Sequence, residues 1–131
     1  MKYLLDTHAL LWMLENDPSL SLIARQEIEN LENKCYVSMA SLYEIAIKKN
    51  IGKLDTPHTI ETFAKEINTV GLILLPIEVA HLETYLSLPQ FDNHKDPFDR
   101  LIIATSCTEK FAIISIDEKF KLYQDIIGIV W

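Results

Sequence analysis

Ile113-Ile114-Ser115-Ile116-Asp117 is an apolar run that closes on a carboxylate, and Tyr3-Leu4-Leu5-Asp6 repeats the pattern near the other end of the chain. Working outward from these two, further short apolar runs stand at Tyr36–Val37, Leu72–Leu75 and Ile127–Val130, with the fourth-strand run spanning Ala112–Ile116. None alternates strictly, which is the pattern of parallel strands covered on both faces. Between the runs lie helical patterns. Ala24, Ile28 and Leu31 recur at i, i+4, i+7; Ile60, Phe63, Ala64 and Ile67 at i, i+3, i+4, i+7; Val79, Leu82 and Leu86 at i, i+3, i+7. Each places an apolar stripe on one side of a helix. Phe98–Cys107 is apolar nearly all round and reads as a buried helix, whereas Ser87–Lys95 is polar, holds Pro89 and reads as a loop. Strands alternating with helices predict an α/β protein, a three-layer α/β/α sandwich around a mostly parallel five-stranded sheet.

Size and composition narrow the function. The 131 residues are 49% apolar and 9% aromatic, which suits one globular domain over residues 1–131 and excludes a disordered tail. No apolar run is long enough to span a bilayer. The apolar N-terminal stretch carries Asp6 and His8 and lacks a small-residue cleavage site, so it does not read as a signal peptide, and a cytoplasmic location is expected. Cys35 and Cys107 sit in apolar segments with no second ligand nearby, as buried free thiols do. The three glycines are far apart, which excludes a phosphate-binding loop and a dinucleotide fingerprint. The net charge of −7 argues against a sequence-independent nucleic-acid binder. That count is blind to bound cations, so the placement of the acids matters more than their number.

Asp6 and Asp117 each end a strand, where ligands bind in open parallel sheets; either one also suits a helix N-cap. Ser41 and Glu44 have capping-box spacing. Ser38 directly follows a strand, however, and is the earlier cap. The helix then starts at Met39 and holds Glu44 inside it, either exposed or reserved for chemistry. Asp96 before Pro97 is a natural N-cap with proline at the first helical position. Asp99 is the third helical residue of a helix that reads as buried, and a buried carboxylate needs a cation or full hydrogen bonding. Clustered carboxylates cannot all ionise without a cation. Oxygen ligands select Mg²⁺ or Mn²⁺ over zinc, and such a site suits metal-assisted phosphodiester hydrolysis.

Four stretches together carry a family likeness: Leu5-Asp6-Thr7-His8; Ser41-Leu42-Tyr43-Glu44-Ile45 followed by Lys48-Lys49 and Gly52-Lys53-Leu54; His94-Lys95-Asp96-Pro97-Phe98-Asp99-Arg100; and Ser115-Ile116-Asp117. In this order and over the whole chain they resemble the PIN-domain ribonucleases, and more closely the VapC-like toxins of type II toxin–antitoxin pairs. The resemblance implies a PIN-like fold and a Mg²⁺- or Mn²⁺-dependent endoribonuclease that hydrolyses RNA. It also implies a cognate antitoxin partner and often a homodimer. The family's acidic positions fall on Asp6, Glu44, Asp99 and Asp117, as catalytic residues and metal ligands, with Asp96 as a less constant acid. Thr7 and Ser115 match hydroxyl positions that order the site.

Other residues admit two readings. Lys48, Lys49 and Lys53 attract RNA phosphates or simply solvate a helix end. Arg100 orients Asp99, touches phosphate or forms a structural salt bridge. His8 and His94 lie within the motifs without an assigned role. Trp12 and Trp131 read as core or interface, and Leu10, Leu11 and Met13 as a core face or an apolar surface for an antitoxin helix. Two other functions are considered. A phospho-accepting receiver-like domain would want adjacent acids after the first strand and a lone Asp after the third, but Thr7-His8 and Pro76-Ile77-Glu78 stand there. A catalytically silent PIN-like binding module would bind no Mn²⁺ through these carboxylates.

Overall fold

A computed structural model describes residues 1–131. The five strands are β1 (Lys2–Leu5), β2 (Lys34–Ser38), β3 (Ile73–Leu75), β4 (Ala112–Ile114) and β5 (Ile129–Val130). They form one sheet in the order β3-β2-β1-β4-β5, every neighbouring pair parallel. The helices are α1 (Thr7–Leu14), α2 (Leu22–Glu29), α3 (Met39–Asn50), α4 (Ile60–Thr69), α5 (Val79–Ser87) and α6 (Pro97–Glu109), with a 3-10 helix at Glu118–Tyr123.

Strand alternation builds two cores. Tyr3, Leu5, Cys35, Val37 and Ile114 face one side with Ala9, Leu10, Leu11, Ala24, Leu42, Ile45, Phe63 and Ile67. Leu4 and Ile113 face the other with Ile102, Ile103, Ala104, Phe120 and Tyr123. Successive Cβ atoms on a strand point to opposite faces, so both faces need helical cover, and the α/β/α sandwich follows. The chain moves from β1 outward to β3, then returns across the sheet to β4. The order therefore reverses between β1 and β4, and the segments leaving those two strands part to opposite faces. A crevice opens at the carboxyl end of such a pair.

Several expectations need correction. β4 stops at Ile114, two residues short of the predicted run, although Ser115 N still donates to Val130 O at 3.1 Å. Leu72 lies outside β3, and β5 is two residues long. Leu31 lies beyond α2 and is fully exposed. The Val79–Leu82–Leu86 stripe of α5 faces outward, with Val79 76% and Leu86 81% exposed. Polar side chains hold the opposite face of α5 against α6. His81 Nε2 lies 2.9 Å from Glu109 Oε1, and the Thr108 hydroxyl donates to Thr84 at 2.7 Å. His81 Nδ1 accepts from Glu78 N in a capping box, so its ring donates from Nε2. Leu10 and Leu11 are core residues, and Met13 and Trp12 pack against the same cluster, Trp12 meeting Trp131 at 5.7 Å between ring centroids. Both cysteines are free; burial raises both thiols, Cys35 to about 11.

Candidate active site

Three helical N-termini deliver acids to the crevice. Asp6 caps α1, with Oδ1 accepting from Ala9 N at 2.7 Å. Asp96 caps α6 through Phe98 N (2.9 Å) and Asp99 N (3.1 Å), with Pro97 at the first helical position, and Asp99 follows in the first turn. Asp117 caps the 3-10 helix through Lys119 N at 2.9 Å. The capping reading of Asp6, Asp96 and Asp117 holds: a cap fixes the carboxylate, and the helix end's partial positive charge favours its ionised form. The fifth acid comes from a helix interior. Ser38 caps α3 by accepting from Ala40 N, which leaves Glu44 within the helix, facing the crevice.

Asp6, Glu44, Asp96, Asp99 and Asp117 line one cavity of about 240 Å³, together with Thr7, His8, Lys48 and Lys119 and no hydrophobic residue. Hydroxyls tie its walls together. Thr7 donates to Glu44 Oε1 at 2.7 Å and lies 3.0 Å from the Ser41 hydroxyl, which joins α1 to α3. Ser115 donates to Asp6 Oδ2 and accepts from Asp117 N at 3.0 Å, which joins the β1 and β4 exits. Ser115→Ala is expected to lower stability by about 2 kcal/mol in urea unfolding, because Asp6 Oδ2 then stays buried without its donor. An unchanged urea midpoint would mean that water replaces the hydroxyl.

The electrostatics are strained. Asp99 is raised to about 7, first by burial and then by Asp96, Asp117, Glu44 and Asp6. Asp6 is raised by burial against the opposing pull of Ser115, Ala9 N–H and His8. Only Glu44 has a cation at hand, Lys48 Nζ at 3.1 Å from Oε2. No cluster of three or more His, Cys, Asp or Glu side chains is already gathered to hold a metal ion. The donor chemistry nevertheless fits a hard divalent cation: every acid offers oxygen, and the carboxylates repel one another in a way that a cation would relieve.

The remaining predicted residues divide. Lys48 lines the cavity. Lys49 does not; its Nζ donates to Thr56 O at 3.2 Å and to His58 O, tying the chain beyond α3 back onto that helix. Lys53 is exposed and outside the cavity. Arg100 forms no ion pair with Asp99. It is buried outside the cavity, where Nη1 donates to Pro89 O (3.0 Å) and Tyr123 OH (2.8 Å) and the guanidinium lies 5.3 Å over the Tyr85 ring. Adjacent residues on a helix do not share a face, so Arg100 cannot follow Asp99 into the cavity. Lys119 was missed from the sequence, though legible as the second residue after a capping Asp; Ser41 was read for its capping-box spacing with Glu44 and not as a partner of Thr7.

The fold and the cavity define an α/β class: an open, all-parallel sandwich with a wholly polar, acid-lined cavity at its strand-order reversal. Within that class this chain belongs to the PIN domain family, matched over residues 3–125. Solved structures share the fold. VapBC2 from Rickettsia felis, bound to a DNA fragment from its promoter, is 16% identical with a TM-score of 0.67, covering 99% of this chain and 98% of that one. A toxin–antitoxin complex from Klebsiella pneumoniae is 20% identical with a TM-score of 0.62, covering 98% and 96%. FitAcB from Neisseria gonorrhoeae is 16% identical with a TM-score of 0.65, covering 98% and 96%. Among curated proteins no sequence match is found.

Proposed function

We propose that this chain is a Mg²⁺- or Mn²⁺-dependent endoribonuclease and the toxin of a toxin–antitoxin pair. The observation that carries the reading is the convergence of Asp6, Glu44, Asp99 and Asp117, from four separate segments, on one wholly polar cavity at the sheet's reversal point. PIN family membership and the fold shared with toxin–antitoxin complexes support it. In this reading the four acids, with Asp96 beside them, hold the cation. A bound divalent cation supplies the concentrated positive charge that phosphodiester hydrolysis needs. Thr7 and Ser115 keep Glu44 and Asp6 in place, and Lys48 and Lys119 meet RNA phosphate at the rim. A cognate antitoxin and a second copy of the chain are the expected partners. The chain works as one domain in the cytoplasm; no helix is long and apolar enough to cross a membrane.

The test is cleavage of mixed structured and unstructured RNA by purified, partner-free protein with Mn²⁺, Mg²⁺ or chelator, beside Glu44→Gln prepared identically. Cutting is expected with either metal, none with chelator, and at least about 100-fold less in the variant. Equal cutting by both proteins would expose a contaminant. No cutting, together with no Mn²⁺ binding by calorimetry, would make the chain a silent binding module.

A further inference from the structure

His94 is the only side chain that hydrogen-bonds the Asp99 carboxylate: its Nε2 lies 3.3 Å from Asp99 Oδ2. The ring is 2% exposed, set edge-on against Phe120 and Tyr123. Its Nδ1 lies 2.9 Å from Tyr123 OH, and that same phenol oxygen lies 2.8 Å from Arg100 Nη1. Counting protons gives the chain a direction. A guanidinium only donates, so the Tyr123 oxygen accepts from Arg100. The phenol has one proton, and its remaining partner is His94 Nδ1. The ring therefore accepts at Nδ1, and as a neutral imidazole it donates from Nε2 to Asp99. The opposite tautomer would strand the phenol proton in the core and aim a nitrogen lone pair at a carboxylate oxygen. Burial favours neutral His94 and the protonated phenol alike.

We propose that Arg100, Tyr123 and His94 form a directed hydrogen-bond chain that fixes Asp99 Oδ2 and leaves Oδ1 for a cation, making His94 and Tyr123 positioning residues of the acidic cavity. Partners of this kind behind a ligand set its orientation and affinity. The positioning role rests on the metal-dependent reading above; the His94 tautomer does not.

The experiment combines ¹⁵N NMR of the histidine rings in the full chain, in chelator, with Mn²⁺ titration by calorimetry. The wild type is expected to show the Nε2–H tautomer, and Tyr123→Phe, which removes only the hydroxyl, a mixture of the two. Mn²⁺ affinity is expected to fall about tenfold or more in Tyr123→Phe and His94→Leu. His94→Gln keeps a side-chain N–H donor and is expected to recover most of that loss. Thermal unfolding of each variant confirms that it is folded under the titration conditions. An Nδ1–H tautomer in a wild type that binds Mn²⁺ would overturn the chain and, because Nε2 would then carry no proton for Asp99, the positioning role built on it. Equal Mn²⁺ affinity in His94→Leu, His94→Gln and wild type would overturn the positioning role. A wild type with the Nε2–H tautomer and no Mn²⁺ binding would overturn the metal reading of the cavity and the positioning role with it.

Discussion

Asp99→Asn is expected to leave the protein more stable without divalent cation and unable to cut RNA. Asp99 is raised from an ordinary 3.8 to about 7. The unfolded chain gives up this proton near pH 4, whereas the folded chain holds it until about pH 7. Between those values the folded state binds more protons, so the Asp99 contribution to stability is full below about pH 4 and lost as pH rises to about 7. Asn carries no such cost. The stability difference between variant and wild type should therefore open across that window and stay level above it. At pH 8 in chelator it should reach about 2–4 kcal/mol in favour of Asn, or roughly 3 °C in Tm for each kcal/mol. Saturating Mn²⁺ should close the difference, because the cation binds the ionised carboxylate of the wild type alone. RNA cleavage by the variant should fall at least about 100-fold. Equal Tm values at pH 8 in chelator would show that the carboxylates do not burden one another as their positions imply.

Arg100→Ala should be among the most damaging single changes, although Arg100 is not in the cavity. Its guanidinium is buried without a carboxylate partner and is held by Pro89 O, Tyr123 OH and the Tyr85 ring. Removing it withdraws two charge-assisted hydrogen bonds and a cation–π contact and leaves an unfilled space between α5 and α6. The expected loss is about 3 kcal/mol, read as a lower urea midpoint at unchanged slope. Arg100→Lys should lose more than half as much, since an ammonium cannot span both acceptors while lying flat on the ring. A lysine variant within 0.5 kcal/mol of wild type, on the ~0.5 kcal/mol scale of surface substitutions, would show that charge alone matters there.

These two neighbours mark where sequence reasoning succeeded and where it stopped. Asp6, Glu44, Asp99 and Asp117 were legible as candidates only in combination: each alone also suited a cap or an exposed helix position, and Asp6 and Asp117 are in fact caps, but together they line one cavity. The parallel sandwich was legible because doubly covered strands leave short unalternating apolar runs. Direction was not legible. Asp99 and Arg100 are adjacent in sequence yet only Asp99 lines the acidic cavity, and Lys48 and Lys49 part in the same way on α3. The α5 stripe has the right period, but period does not say which face is inside. His81, Thr84 and Tyr85 take the inner face because Glu109, Thr108 and Arg100 give them partners, a fact of tertiary structure. His94 is the sharpest case: its motif drew notice, but its role depends on Tyr123, 29 residues further along the chain.

The Ser115–Asp6 hydrogen bond spans 109 residues of sequence. Contacts of such separation carry a large loop-closure cost and tend to form late in folding. Synthesis adds a stricter order. A growing chain displays Asp6 and Glu44 long before Asp117 has been polymerised, and β4, which seats the segment carrying it, pairs directly with β1 at the centre of the sheet. No partial version of the cavity exists on the way. The complete set of acids meets only when nearly the whole sheet can close.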